Sequence, residues 1–342
     1  MKILLSLFAA AMMCSSLAAA PKHPAVLSHA FIYEKAPYPQ CHASTIVETS
    51  AGNLVAAWFG GTKEKAPDVG IWVSRQENGQ WTSGVEVATG VMDATTRHPT
   101  WNPVLFQPKD GPLTLFYKVG PSPQTWWGMV MTSTDEGKSW SKPQKLPSQF
   151  LGPIKNKPVQ LANGTILSPT SIETESKPSR WRVYFERSVN NGATWTATPY
   201  VNDGIEVAAI QPSILLLGGD RLLALGRTRQ GRLFEVRSED AGTTWGQFKL
   251  TATLNPNSGT DAVTLEDGRH LLIYNPVEKG RTPLTIAVSK DGSTWKDVIT
   301  LEDEPGEYSY PAIIQSKDGR VHVTYTWKRE RVRYAMIDPS RL

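Results

Sequence analysis

The stretch Ser133-Thr134-Asp135-Glu136-Gly137-Lys138-Ser139-Trp140 returns along the chain roughly every 50 to 60 residues. A chain repeating at that period folds as an array of equivalent units, each stacked on the next. The copies are Ser188 to Trp195, Ser238 to Trp245, a version one residue shorter from Ser289 to Trp295, and a degenerate one from Ser74 through Gly79 to Trp81. Locally the unit reads as a turn. Its Asp or Asn bonds nearby backbone N–H groups, its Gly takes positive φ, and its Trp covers the turn between two strands. Five equivalent copies cannot all line one site, so the motif is scaffold.

A second repeat runs beside the first, in which turn residues lead into an apolar run. Its six copies begin at Ala51-Gly52-Asn53, Lys109-Asp110-Gly111, Ala162-Asn163-Gly164, Gly218-Gly219-Asp220, Glu266-Asp267-Gly268 and Lys317-Asp318-Gly319. Each follows another apolar segment, and all but the last precede a Trp motif. One unit therefore holds a hairpin, a third strand and a stapled turn, the content of a four-stranded blade, and six units predict an all-β, six-bladed β-propeller over residues 21–342. The sixth unit lacks the Trp motif, so strands before Ala36 or after Arg331 are expected to close the ring. No window of the mature chain keeps a helical apolar spacing without interruption by Gly or Pro.

Residues 1–20 read as a secretory signal peptide: Lys2, an apolar run to Leu17, then Ala18-Ala19-Ala20 before Pro21. The expected location is outside the cytoplasm, secreted or periplasmic. Met13 before Cys14 argues against a lipid anchor. After cleavage Cys41 is the one cysteine left, so no internal disulfide is expected. No later stretch approaches the ~20 apolar residues of a membrane span. Removal of Lys2 with the leader leaves 35 basic residues against 32 acidic, too balanced and too dispersed for a nucleic-acid partner. No metal-ligand spacing, phosphate cradle or serine nucleophile elbow is present, and no cofactor is expected.

The repeated S-x-D-x-G-x-[TS]-W and the six units resemble the Asp-box (BNR repeat) sialidase superfamily over essentially the whole mature chain. That resemblance implies three arginines holding a substrate carboxylate, a Tyr nucleophile polarised by a Glu, and an Asp acid/base. By position in this sequence, it implies Tyr308 in Glu307-Tyr308-Ser309-Tyr310 as the nucleophile and Asp68 as the acid/base. It implies Arg281 as one arginine and one of Arg227, Arg229 and Arg232 as another. Two family residues are absent: His42 stands where the first arginine is expected, and Gln211 where the Glu is expected.

His42 titrates near neutral pH and can act as base, acid or carboxylate partner. Arg97, Trp101 and Asn102, then Lys155 and Lys157, then Asp261 start inner strands whose side chains can face the central channel, and Trp127 offers a flat surface for a sugar. Three readings stand open at this point. One is an exo-glycosidase of sialidase type acting on a terminal acidic sugar. The second is a uronate-directed polysaccharide lyase using His42 and Tyr308, and the third is a non-catalytic glycan-binding propeller.

Overall fold

A computed structural model of the chain describes residues 23–342; the leader expected at 1–20, with Cys14, lies outside them. The apolar runs form strands in six antiparallel sheets arranged as blades around a central channel. Their inner strands are Gln40–Glu48, Thr100–Phe106, Val159–Gln160, Ala209–Leu216, Asp261–Thr264 and Tyr308–Gln315. The longer ones are buried on both faces, because each blade packs one face on the blade before it and the other on the blade after.

The ring closes terminus to terminus, as the missing sixth Trp motif predicts. Val26–Phe31 forms the outermost strand of blade 6, antiparallel to Arg331–Ile337, with Val26 opposite Ile337 and Phe31 opposite Arg333. The His29 ring bonds Tyr325 Oη at 2.6 Å, and the Arg331 guanidinium lies 3.6 Å over the Phe31 ring. These contacts bind the first strand to the last blade.

The Trp motif proves to be a joint between blades as well as a turn. In blade 4, Asp240 Oδ1 accepts from Ser238 Oγ and Thr244 N while Ser238 Oγ accepts from Gly242 N, at 2.8 to 2.9 Å. Gly242 has φ +75°, and a Cβ there would lie 2.6 Å from Leu167 of blade 3. Trp245 stacks on Phe185 of blade 3 with centroids 3.8 Å apart. In the same way Trp81 of blade 1 meets Tyr334 of blade 6.

Four inner strands carry an irregularity at the same height. The ladder slips between His42 and Thr45, Trp101 and Val104, Ile210 and Ser213, and Ser309 and Ala312. Within each slip one non-glycine residue is left-handed: Ala43 (φ 55°), Asn102 (φ 38°), Gln211 (φ 58°) and Tyr310 (φ 50°). Such bulges re-aim side chains next to active sites, and each left-handed residue costs about 1–2 kcal/mol.

Candidate active site

The bulges determine which tyrosine reaches the channel, and it is Tyr310, not Tyr308. Tyr308 keeps the regular pleat opposite Trp327 and buries its ring in the apolar layer between blades 5 and 6, with Ile273, Ile286 and Ile313. The left-handed turn at Tyr310, locked by Pro311, swings the next side chain out of that alternation. Tyr308, read from the sequence as the nucleophile, is thus a core residue, and the tyrosine in the channel lies two residues later. The signal for Tyr310 was present: Asn102-Pro103, Gln211-Pro212 and Tyr310-Pro311 place the same X-Pro pair in the same slot of three blades.

Tyr310, on blade 6, gathers residues from four other blades. The His42 ring lies against it with centroids 4.1 Å apart. Arg227 Cζ, Arg281 Cζ and Lys155 Nζ stand 5.3, 5.8 and 5.8 Å from its ring centroid. Gln211 Nε2 donates to Tyr310 Oη at 3.4 Å. Blade 5 comes this close because of Gly259, whose missing Cβ would meet Tyr310 Cδ2 at 3.1 Å and Lys155 Cε at 3.0 Å.

The cations differ in how they are balanced. Arg281 Nη1 and Arg329 Nε both donate to Glu307 Oε1, at 2.7 and 2.6 Å, and Ser309 Oγ adds a third bond at 3.1 Å. Burial raises the Glu307 pKa, but these partners outweigh it and hold the carboxyl below its ordinary range. Arg329 Nη1 also reaches Glu64 at 2.7 Å, tying the 62–69 loop of blade 1 to blade 6. Arg227 is different. It is 7% exposed, donates to the carbonyl of Asn257 at 3.0 Å, and keeps a buried Nε with no hydrogen-bond partner. Among the described residues no carboxylate lies within ion-pair distance of it. Gln211 Oε1, Asn257 Oδ1, Ser258 Oγ and Thr260 Oγ1 are likewise buried without partners, a concentration that native interiors otherwise avoid.

Lys155 Nζ donates to Asn156 Oδ1, Thr260 O and Pro311 O at 2.7, 2.9 and 2.5 Å. Burial pushes its pKa down to about 7, yet three acceptors are matched only by three N–H groups, so the surroundings are built for the ammonium form. Burial, and after it the positive field of Arg329, Arg281, Arg227 and Lys155, holds His42 well below its ordinary value. Its imidazole is neutral, with Nδ1 3.1 Å from Thr326 Oγ1. Cys41 beside it is buried, and burial pushes its thiol up to about 12, which leaves it protonated and inert.

The other sequence candidates divide. Asp261 ties the channel floor: Oδ2 takes Lys157 Nζ and Ile313 N, both at 2.9 Å, and Oδ1 takes Ser213 Oγ at 2.9 Å. Trp101 is buried and donates to Gly120 O, and Asn102 supplies the blade 2 bulge. Arg97 Nη2 supports the Asp68 carbonyl at 2.8 Å. The Asp68 carboxylate accepts Thr62 N and Thr62 Oγ1 at 2.8 and 2.7 Å on its own loop; burial opposes but those bonds prevail, and its pKa is lowered. Arg229 lies on the rim, 4.0 Å over the Trp181 ring.

Two candidates fall outside the cluster. Arg232 donates to Ala252 O across the outer strands of blade 4, because it opens the third strand and points away from the channel. Trp127 lines a cleft of about 480 Å³ between blades 1 and 2, its face covered by Lys145 Nζ at 4.8 Å. Arg329 had no signal in the repeat, since it sits in the tight turn joining the last two strands.

Residues 52–323 match the family model described as BNR repeat-like domain. A sialidase of Bacteroides fragilis (strain YCH46) is 27% identical over 243 residues, an alignment taking in 59% of this chain and 42% of the relative. The chain thus spans less than half the length of that relative. Among solved structures, a protein of unknown function from Dyadobacter fermentans superposes with TM-score 0.76 at 20% identity, covering 92% of this chain and 99% of that one. A Hadza microbial sialidase gives TM-score 0.74 at 16% identity, covering 89% and 67%. The intramolecular trans-sialidase from Ruminococcus gnavus, in complex with oseltamivir carboxylate, gives 0.72 at 13% identity, covering 91% and 97%. At these identities the structural likeness carries the propeller fold alone.

Proposed function

The chain belongs to the BNR repeat-like domain family, and from that premise we propose that it is an exo-acting glycosidase of sialidase type that removes a terminal acidic sugar from a glycan. The observation that carries this reading is Arg227: a buried guanidinium, unmatched by any described carboxylate, held over the ring of a channel-facing tyrosine with Arg281 and Lys155 beside it. A planar anion supplied by the substrate satisfies such a group best, and a guanidinium takes a carboxylate through two hydrogen bonds. The sugar carboxylate would bridge Arg227 and Arg281, which sets the adjacent anomeric carbon over Tyr310.

Tyr310 is the nucleophile in this reading. Gln211 cannot take its proton, which leaves to solvent, and the His42 imidazole against the phenol ring stays uncharged beside it. Negative charge gathering on the phenolic oxygen then develops among cations already in place, which is where electrostatic preorganisation contributes most. Two displacements on one carbon retain its configuration. The leader read at 1–20 accords with action on glycans outside the cytoplasm.

The test is release of free, saturated acidic sugar from sialylated and other acidic glycans. Tyr310→Phe should abolish release while binding persists, and no release by the wild type from a broad panel would overturn the reading. Gln211 favours one rival. Without a polarising carboxylate, His42 and Tyr310 form a base and acid suited to β-elimination on a uronate, and absorbance from a new carbon–carbon double bond would establish lyase chemistry instead.

A further inference from the structure

We infer that Glu173, a residue outside the motifs and outside the tyrosine cluster, is the proton donor to the leaving oxygen, with Asp68 serving its own loop instead. The inference rests on the glycosidase reading above and adds the acid/base which that reading lacks.

Placement comes first. Glu173 ends the second strand of blade 3, Ile166–Glu173, opposite Trp181. Trp181 carries Arg229 Cζ at 4.0 Å and Arg227 Cζ at 5.5 Å, and the same Arg227 stands 5.3 Å from the Tyr310 ring. Trp181 and the guanidinium assigned to the sugar carboxylate therefore connect Glu173 to Tyr310. A glycoside bound there has the nucleophile on one side and Glu173 towards the blade 3 rim. Gln124 Nε2 from the blade 2 loop donates to Glu173 Oε2 at 3.2 Å and orients the carboxyl.

Chemical state comes second. Other carboxyl groups around the channel are engaged in ion pairs: Glu307 with Arg281 and Arg329, Glu64 with Arg329, Asp261 with Lys157. Asp68 accepts two bonds from Thr62 and is held ionised. Glu173 has no ion pair within 4 Å among the described residues. Burial raises its pKa, against the lowering influence of Arg227, Arg229 and Lys65, while the Trp181 indole N–H faces it without reaching hydrogen-bond geometry. Burial thus acts in the direction an acid catalyst requires, towards retention of the proton.

The step balances. Tyr310 Oη bonds to the anomeric carbon as the glycosidic C–O bond breaks. The electron pair stays on the leaving oxygen, which takes the Glu173 proton, and the phenolic proton passes to water. Glu173, now a carboxylate, next takes a proton from water as its oxygen displaces Tyr310, and the phenolate regains the proton that water had taken. Glycoside plus water gives sugar plus alcohol.

The experiment compares Glu173→Gln and Asp68→Asn on two substrates of one sugar, an aryl glycoside whose leaving group needs no proton and a sugar-linked glycoside whose leaving group does. Glu173→Gln should lose about a hundredfold or more in kcat/KM on the sugar-linked substrate. On the aryl glycoside it should lose less than about tenfold, and the alkaline limb of the wild-type pH profile should vanish. Glu173→Ala, checked for folding by thermal unfolding, should recover turnover of the aryl glycoside with added azide or formate. Equal losses of Glu173→Gln on both substrates, or the leaving-group selectivity appearing in Asp68→Asn instead, would overturn the inference and leave the glycosidase reading intact. A wild type that hydrolyses neither substrate overturns both.

Discussion

Tyr310 stands in the surroundings a phenolate needs, and the tyrosine two residues earlier does not. Replacing the Tyr310 hydroxyl by hydrogen should therefore lower kcat about a thousandfold or more with KM little changed. Tyr308→Phe alters a ring packed between blades 5 and 6 and should keep kcat within about threefold. Steady-state kinetics on the two variants side by side decides between them. Gln211 gives a sharper check, because its Oε1 is buried without a partner beside the Tyr310 hydroxyl. Gln211→Glu supplies an acceptor for the phenolic proton at no change in shape. Sugar release should rise, by about tenfold where proton removal limits the rate; a fall would show that the amide itself is required. His42, Gln211, Arg227 and Arg281 were legible because they stand at positions the family resemblance marks, and Lys155 because it opens a blade's inner strand. The resemblance points to Tyr308 by its place before the last Asp-Gly strand, and the bulge that turns Tyr310 to the channel is a property of strand pairing that the resemblance does not carry.

At the level of the element, the Trp motifs were read as turns, and their second role was not visible in the sequence. Nothing in Ser238 to Trp245 says that Gly242 faces Leu167 of the preceding blade, since that contact depends on how two blades meet. The consequence is measurable. Gly242→Ala forces a side chain into the left-handed region and drives its Cβ into Leu167, at a cost of about 2–3 kcal/mol. Ala at Gly79, left-handed at φ 77° but with nothing within 4 Å, should cost less. Denaturant unfolding separates the two, and neither variant should change KM, because both glycines lie in the turns rather than in the channel. The Lys328-Arg329 turn shows the opposite compromise. Both residues are left-handed, at φ 52° and 63°, in the three-residue loop between Trp327 and Arg331, where Asn and Gly suit such positions. The strained backbone is kept where the Arg329 side chain joins Glu307 to Glu64.

At the level of the whole molecule, six blades and their closure were readable from periodicity, because a repeat fixes architecture before any long-range contact is known. The charge states of groups buried by that closure were not readable, and they set how the propeller responds to acid. His322 sits in blade 6 between Ser316 Oγ and Tyr334 Oη, both at 2.8 Å, and burial pushes its pKa down to about 4. His42 is shifted the same way. Below pH ~6.5 the unfolded chain takes up protons on these histidines that the fold refuses, so stability falls as pH falls. For His322 the loss runs from that value to about 4 and amounts to roughly 3 kcal/mol at most. The Asp240 carboxyl moves in the other sense: its bonds from Thr244, with burial opposing and Ser238 assisting, hold it down to about 2. Its contribution is complete above the ordinary carboxylate range, near pH 4, and disappears as pH drops towards 2. Acid unfolding should therefore begin with a histidine limb and continue with a carboxylate limb at lower pH. Thermal unfolding midpoints from pH 8 to pH 3 should trace both, and His322→Gln should flatten the slope between pH 6.5 and 4 while leaving the lower limb in place. An unchanged slope in that variant would assign the upper limb to other groups, His42 first among them.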